Sequence, residues 1–215
     1  MTDPQSTSAP ALWRHFLALF VVAILVGADL YSKAKVMPWL EARMVEYADF
    51  HGGYPMPEPD LQRDSHGHQR HPVVGNWLAG MHNLNYGAAF GQGGGLQKIL
   101  VPGRCVAVLV LGFLIIRAPR KRRVYLSALV LVAAGAIGNT FDNLFYKPHL
   151  PAPGKPFGPV RDFIDVYFEV WDWHFATFNV ADACISVGVV LLLISTFTAP
   201  KSPEADSTAE SSPLS

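Results

Sequence analysis

Four apolar runs, roughly residues 12–30, 99–116, 124–141 and 178–197, constrain this chain more than any other feature. Each approaches the ~20 residues that carry a helix across the hydrocarbon core of a bilayer. Inside that core every backbone N–H and C=O must be bonded within the segment, which an isolated run achieves only as a helix. The expected fold class is an all-α polytopic membrane protein with four transmembrane helices. The 215-residue chain is 50% hydrophobic and 16% charged with a formal net charge of zero, so no basic field points to nucleic acid.

The two cysteines, Cys105 and Cys184, both lie inside apolar runs. They exclude a disulfide framework, and thiols embedded in lipid make poor nucleophiles. The first run lacks a basic start, and Gly27-Ala28-Asp29 leads into Leu30-Tyr31-Ser32-Lys33 rather than a small-x-small cleavage site. It is expected to stay as an anchor instead of being removed as a signal peptide.

The link between the second and third runs is short and carries Arg117, Arg120, Lys121, Arg122 and Arg123. Short loops rich in Lys and Arg stay in the cytoplasm, which fixes both termini inside and the two longer loops outside. The expected outer loops span about residues 34–98 and 143–177. Residues 1–11 and 199–215, rich in Ser, Pro and Thr, are expected to be disordered cytoplasmic tails around a 12–198 membrane domain. The stretch 51–72 is Gly, Pro and His rich and reads as a mobile outer-loop insertion. Beyond it, Trp77, Leu78, Met81, Leu84, Tyr86 and Phe90 among Gly and Asn suggest short strands, as does 162–171 in the second loop. Trp171, Trp173 and Phe175 suit the interfacial aromatic belt.

On this topology the unusual polar residues converge. Asp29 and Lys33 close the first helix, Asn139 and Asp142 close the third, and Asn179 and Asp182 open the fourth. Asn85 and Asp162 sit in the two outer loops. Separate segments thus deliver carboxylates and amides to one face of the membrane. A carboxylate at that depth is costly and is by default a functional residue. Two brought close cannot both ionise easily and share one proton, which equips them for general acid–base hydrolysis.

Each position also has a plain structural use. Asp182 follows Asn179 at the spacing of a capping box. Asn85, Asn139 and Asn179 could be turn and cap residues, and Asp29 could pair with Lys33 one turn later. Asp165, three residues after Asp162 on a strand, points to the opposite face, so only one of the two can meet Asp182. His51, His66, His68 and His71 invite a zinc reading, but no His-Glu-x-x-His string exists and a solvated loop is favoured; no metal is expected. No Gly-x-Ser-x-Gly string supports a serine peptidase.

The chain resembles the bacterial lipoprotein signal peptidases (signal peptidase II) over about residues 12–197. Five strings carry the resemblance in order: Asp29-Leu30-Tyr31-Ser32-Lys33, Asn85-Tyr86-Gly87-Ala88-Ala89-Phe90-Gly91, Gly138-Asn139-Thr140-Phe141-Asp142, Val160-Arg161-Asp162-Phe163-Ile164 and Phe178-Asn179-Val180-Ala181-Asp182. The resemblance implies four transmembrane helices with a small extracytoplasmic β-cradle, and an aspartic endopeptidase of the bacterial inner membrane. It implies cleavage of diacylglyceryl-modified prolipoproteins just before the lipidated cysteine, with no cofactor or metal. It selects Asp162 and Asp182 as the catalytic pair, with Asp29, Lys33, Asn85, Gly87, Asn139, Asp142 and Asn179 binding substrate or supporting the pair. The expected partners are lipidated prolipoproteins and membrane lipids, with the protein a monomer. Where the family pattern has Arg after the third motif's Asp, this chain has Asn143, so a charge beside Asp142 is expected to be missing. Two other classes stand beside this reading: a non-enzymatic four-helix transporter or proton relay, which would place polar residues near mid-membrane or on both faces, and an inactive lipoprotein-binding paralogue.

Overall fold

The computed structural model describes residues 12–50, 62–63, 69–87, 97–119, 121–149 and 154–198. Among the described residues, four helices are long and apolar enough to cross a membrane. They are α1 (Leu12–Phe50), α2 (Gln97–Arg117), α3 (Arg123–Phe145) and α4 (Val180–Phe197). Between them runs an antiparallel sheet in the order β1 (Gln62–Arg63), β2 (Gln69–Val74), β3 (Leu78–Asn85), β4 (Val160–Phe168) and β5 (Trp173–His174). A 3-10 turn, Glu169–Trp171, joins the last two strands.

The central helix is α3. Its small residues Ala128, Ala133, Ala134, Gly135 and Gly138 are buried, which lets neighbours approach closely where no hydrophobic drive separates helix from lipid. A Cβ built on Gly135 would meet the Ala181 carbonyl oxygen at 2.2 Å, and one on Gly138 would meet Asp29 Oδ2 at 2.4 Å. Large apolar side chains elsewhere, such as Phe20, Ile24, Leu109, Phe113 and Leu193, are exposed, as a lipid-facing surface requires. Gly135→Ala should therefore push the first turn of α4 away and cost about 1–3 kcal/mol. Gly112→Ala, where a Cβ meets nothing within 4 Å, should be close to neutral. Thermal unfolding in detergent compares the two; equal stability of both variants would contradict this packing.

The structure departs from the sequence expectations at the outer loop. The first helix does not end near residue 34 but continues to Phe50, through Pro38. The charges at Lys33 and Lys35 look like the end of a span, yet Lys33 is buried in the bundle. Beyond it Met37 and Leu40 keep the helical period and pack with Phe163 beneath the sheet. The stretch 51–72, read as a mobile insertion, ends in ordered sheet. Gln69–Val74 pairs with β3, and Arg70 and His71 are buried. His71 packs edge-on against Trp39, so it is a packing residue and not part of a solvated histidine loop. His51, His66 and His68, residues 88–91 of the second motif, and the tails 1–11 and 199–215 lie outside the described residues.

Register places the site. Asn83 sits opposite Asp162 and Asn85 opposite Val160 across β3 and β4, with a bulge between Gly80 and Asn83. Phe178 then bonds back to Ile164, with N–H to O distances of 2.8 and 3.0 Å, and brings the start of α4 against the middle of β4.

Candidate active site

The N-terminus of α4 organises the polar cluster. Asn179 is its N-cap, with an extended backbone, and Asp182 is N3. The capping box is complete: Asp182 N–H donates to Asn179 Oδ1 at 2.9 Å, and Asn179 N–H to Asp182 Oδ2 at 3.2 Å. The same Asn179 then reaches outward. Its Nδ2 donates to Asp162 Oδ1 at 2.7 Å and to Asn139 Oδ1 at 3.2 Å. Asn139 Nδ2 donates to the free oxygen of Asp182, Oδ1, at 2.7 Å. Asn85 Nδ2 donates to the second oxygen of Asp162 at 3.0 Å, while its own Oδ1 accepts from Gly87 N–H at 2.8 Å. Gly87 holds φ +77°, a conformation that favours glycine. The asparagines therefore cap, turn and orient carboxylates at once; the two readings offered by the sequence do not compete.

Beneath this layer lies a buried ionic one. Lys33 is fully buried, with its Nζ 2.8 Å from Asp29 Oδ2, 3.2 Å from Asp142 Oδ2 and 3.0 Å from Asn139 Oδ1. Asp29 Oδ1 accepts the N–H of Ala181 at 2.9 Å, satisfying one more first-turn donor of α4. Asp29 is only 1% exposed, with its carboxylate turned to Lys33 and the first turn of α4. Asp142 also accepts from Arg161, at 2.6 Å from Nη2 to Oδ1 and 3.0 Å from the backbone N–H to Oδ2. The charge expected to be missing beside Asp142 is thus supplied twice, by Lys33 and Arg161, and the expectation of a deficit is corrected. Asn143 points elsewhere. Its Nδ2 donates to Gly158 O at 2.9 Å, and its Oδ1 accepts from Arg104 of α2 at 2.6 Å.

Asp162 and Asp165 separate as strand geometry requires. Asp162 faces the asparagines, and Asp165 faces Arg70 of β2, with His174 Nδ1 at 3.3 Å. Asp162 is 1% exposed, and its pKa is raised to about 7, first by burial and then by the charge of Asp182, against the hydrogen bonds from Asn85 and Asn179. Asp182 is half-buried and Asn85 exposed, so the pair opens to the outside of the cluster on the Asn85 side. A buried carboxyl with so raised a pKa beside a second, more accessible carboxyl equips the two to act as acid and base on one bond.

Sequence reasoning missed Arg161, Arg104 and the Arg70–Asp165–His174 group. For Arg161 a signal existed, since alternation on β4 sends it to the face opposite Asp162. Arg104 and Arg70 approach from chain segments whose path only the fold fixes.

The profile of the peptidase A8 family, signal peptidase (SPase) II, matches residues 21–198. The chain belongs to the signal peptidase II family. Its activity is that of a lipoprotein signal peptidase, an aspartic peptidase that cleaves the signal peptides of prolipoproteins. The lipoprotein signal peptidase of Acinetobacter baumannii (strain ATCC 17978) is 33% identical over 216 residues, covering 96% of this chain and 99% of that one. That of Acinetobacter baylyi is 31% identical over 186 residues, 85% of this chain and 81% of its own length. A bacterial membrane enzyme solved by the in meso method at 1.9 Å resolution shares the fold, with a TM-score of 0.57 and 21% identity over 86% of this chain and 94% of that one. The chain is a multi-pass bacterial membrane protein. Family membership removes the transport reading as the chain's primary role. The clustering of all seven carboxylates and amides, Asp29, Asn85, Asn139, Asp142, Asp162, Asn179 and Asp182, at one end of the bundle agrees.

Proposed function

We propose that Asp162 and Asp182 are the catalytic pair of this signal peptidase and that they cut diacylglyceryl-modified prolipoproteins just before the lipidated cysteine. The observation that carries this is Asn179, whose side chain caps the helix bearing Asp182 and donates to Asp162. One amide thereby fixes two carboxyls from different elements. The carboxylate of Asp182 takes a proton from water. The resulting hydroxide attacks the scissile carbonyl carbon. Protonated Asp162 donates to the carbonyl oxygen and stabilises the developing oxyanion. As the tetrahedral intermediate collapses, the oxygen protonated by Asp162 returns that proton to it, the C–N bond breaks, and Asp182 passes the proton taken from water to the leaving amine. In this proposal Asn85 and Gly87, at the open side, hold the substrate backbone.

We infer further that the Arg117–Arg123 link faces the cytoplasm and the sheet faces outward, from the basic residues of the short link. In a background lacking Cys105 and Cys184, a cysteine at Val170, 91% exposed beyond β4, should react with an impermeant thiol reagent in whole cells. One at Lys121 should not. External labelling at 121 would overturn the orientation. The cleavage itself is tested by incubating purified protein with a lipidated prolipoprotein and following the shift to a smaller product on a gel. Binding without cleavage would leave the chain an inactive lipoprotein-binding relative.

A further inference from the structure

At the end of the bundle away from the carboxylates, a groove of about 760 Å³ runs between α1 and α3. Its walls are apolar, with Leu17, Val21 and Leu25 on one side and Leu126 and Val130 on the other. Its mouth is not, since Arg14, Arg123 and Ser127 line it. The two Nη atoms of Arg14 each donate to the Pro119 carbonyl at 3.3 Å, which pins the guanidinium at the mouth beside a neutral acceptor. Arg123 is exposed at the first position of α3. Neither arginine has a carboxylate partner among the described residues. The N-cap Arg122 gives the first turn of α3 no side-chain hydrogen bond, so its N–H groups add to the positive potential.

We propose that this groove binds one phospholipid with an anionic headgroup. The phosphate lies between Arg14 and Arg123 at the start of α3, and one acyl chain lies along α1 toward Leu25. Charge complementarity names the headgroup. Two guanidinium groups with no carboxylate partner among the described residues attract an anionic lipid and gain less from a zwitterionic one, whose ammonium they repel. The walls name the chain. A groove lined by Leu and Val within a membrane span takes hydrocarbon, and α1 from Trp13 to Leu25 covers about 18 Å at 1.5 Å per residue, the reach of an ordinary acyl chain. Trp13, at the mouth and 66% exposed, suits the headgroup level. The site does not depend on the peptidase chemistry, which is at the other end of the bundle.

The test uses the full chain in detergent with equimolar dioleoylphosphatidylglycerol and dioleoylphosphatidylcholine, reading retained lipid by native mass spectrometry. The wild type should favour the glycerol lipid on the order of tenfold. The double variant Arg14→Gln/Arg123→Gln should lose that preference, whereas Lys121→Gln, which removes a charge at the same end but outside the groove, should keep it. Ser127→Phe, which fills the mouth while leaving both arginines, should lower retention of the glycerol lipid. Equal retention of the two lipids by the wild type, or a preference untouched by the double variant, would overturn the proposal. So would a preference for the glycerol lipid that inorganic phosphate abolishes while Ser127→Phe leaves it intact, since that describes an anion site without a docked chain.

Discussion

Replacing Lys33 with methionine should destabilise the protein by about 3–5 kcal/mol, the cost of breaking a buried ion pair from one side. Lys33 is fully buried between Asp29 and Asp142 and holds Asn139 as well. Without it, among the described residues, Asp29 keeps the Ala181 N–H and Asp142 keeps Arg161. A loss of that size is a large share of the ~5–15 kcal/mol that holds a typical domain folded. The ammonium and carboxylates stabilise the fold chiefly by neutralising one another. A second change, Asp29→Asn in the Lys33→Met background, should therefore restore part of the stability by removing one stranded charge. Denaturant unfolding in detergent measures both. A single variant within ~1 kcal/mol of wild type would show that this layer is hydrated and the ion pairs nearly neutral in effect.

Asp162→Asn and Asp182→Asn should each abolish cleavage, by more than the 10²–10⁴-fold expected for losing one general acid or base. The excess arises because the partners share a proton, and neither can do the other's step alone. Both variants should remain folded, since asparagine keeps the size of the side chain. Asp165→Asn is the discriminating control. Its carboxylate is 0% exposed and pairs with Arg70 and His174 across the sheet, away from Asn179. The variant should lose stability while the folded fraction keeps near-normal turnover. A dead but stable Asp165 variant beside an active Asp162 variant would mean that the wrong member of the Asp-Phe-Ile-Asp string has been assigned to the pair.

Much of this architecture is legible in the sequence because lipid restricts the options. Each apolar run must be a helix, so the polar residues at the run ends are placed before any contact is known. Asp29, Asn139, Asp142 and Asp182 could be assigned to one end of the bundle on that ground alone. The capping relation of Asn179 and Asp182 is local and therefore readable. The extension of α1 to Phe50 was hidden by Lys33. A charged residue normally marks the end of a span, and only three-dimensional packing shows that carboxylates from two helices surround this one. The support of Asp142 was misjudged for a related reason. The sequence draws the eye to its neighbour Asn143, whereas the cations arrive from α1 and β4, 109 residues before and 19 residues after it. The sheet's reach into residues 69–72 was masked by a Gly, Pro and His rich composition, and the partner that Arg70 finds in Asp165 lies on the strand two positions across.

In the proposed mechanism the acid form of Asp162, beside Asp182, gives its proton to the scissile carbonyl. The pH dependence of single-turnover cleavage of a lipidated prolipoprotein tests it most directly. Asp162 has its pKa raised to about 7, so its acid form dominates below that value and is depleted above it. The rate should therefore fall as pH rises through about 7, approaching tenfold per unit, with the apparent value belonging to the coupled pair. A rate that stays level, or rises, from pH 6 to pH 9 would contradict it, because no group in the site would then be giving up a proton that the reaction needs.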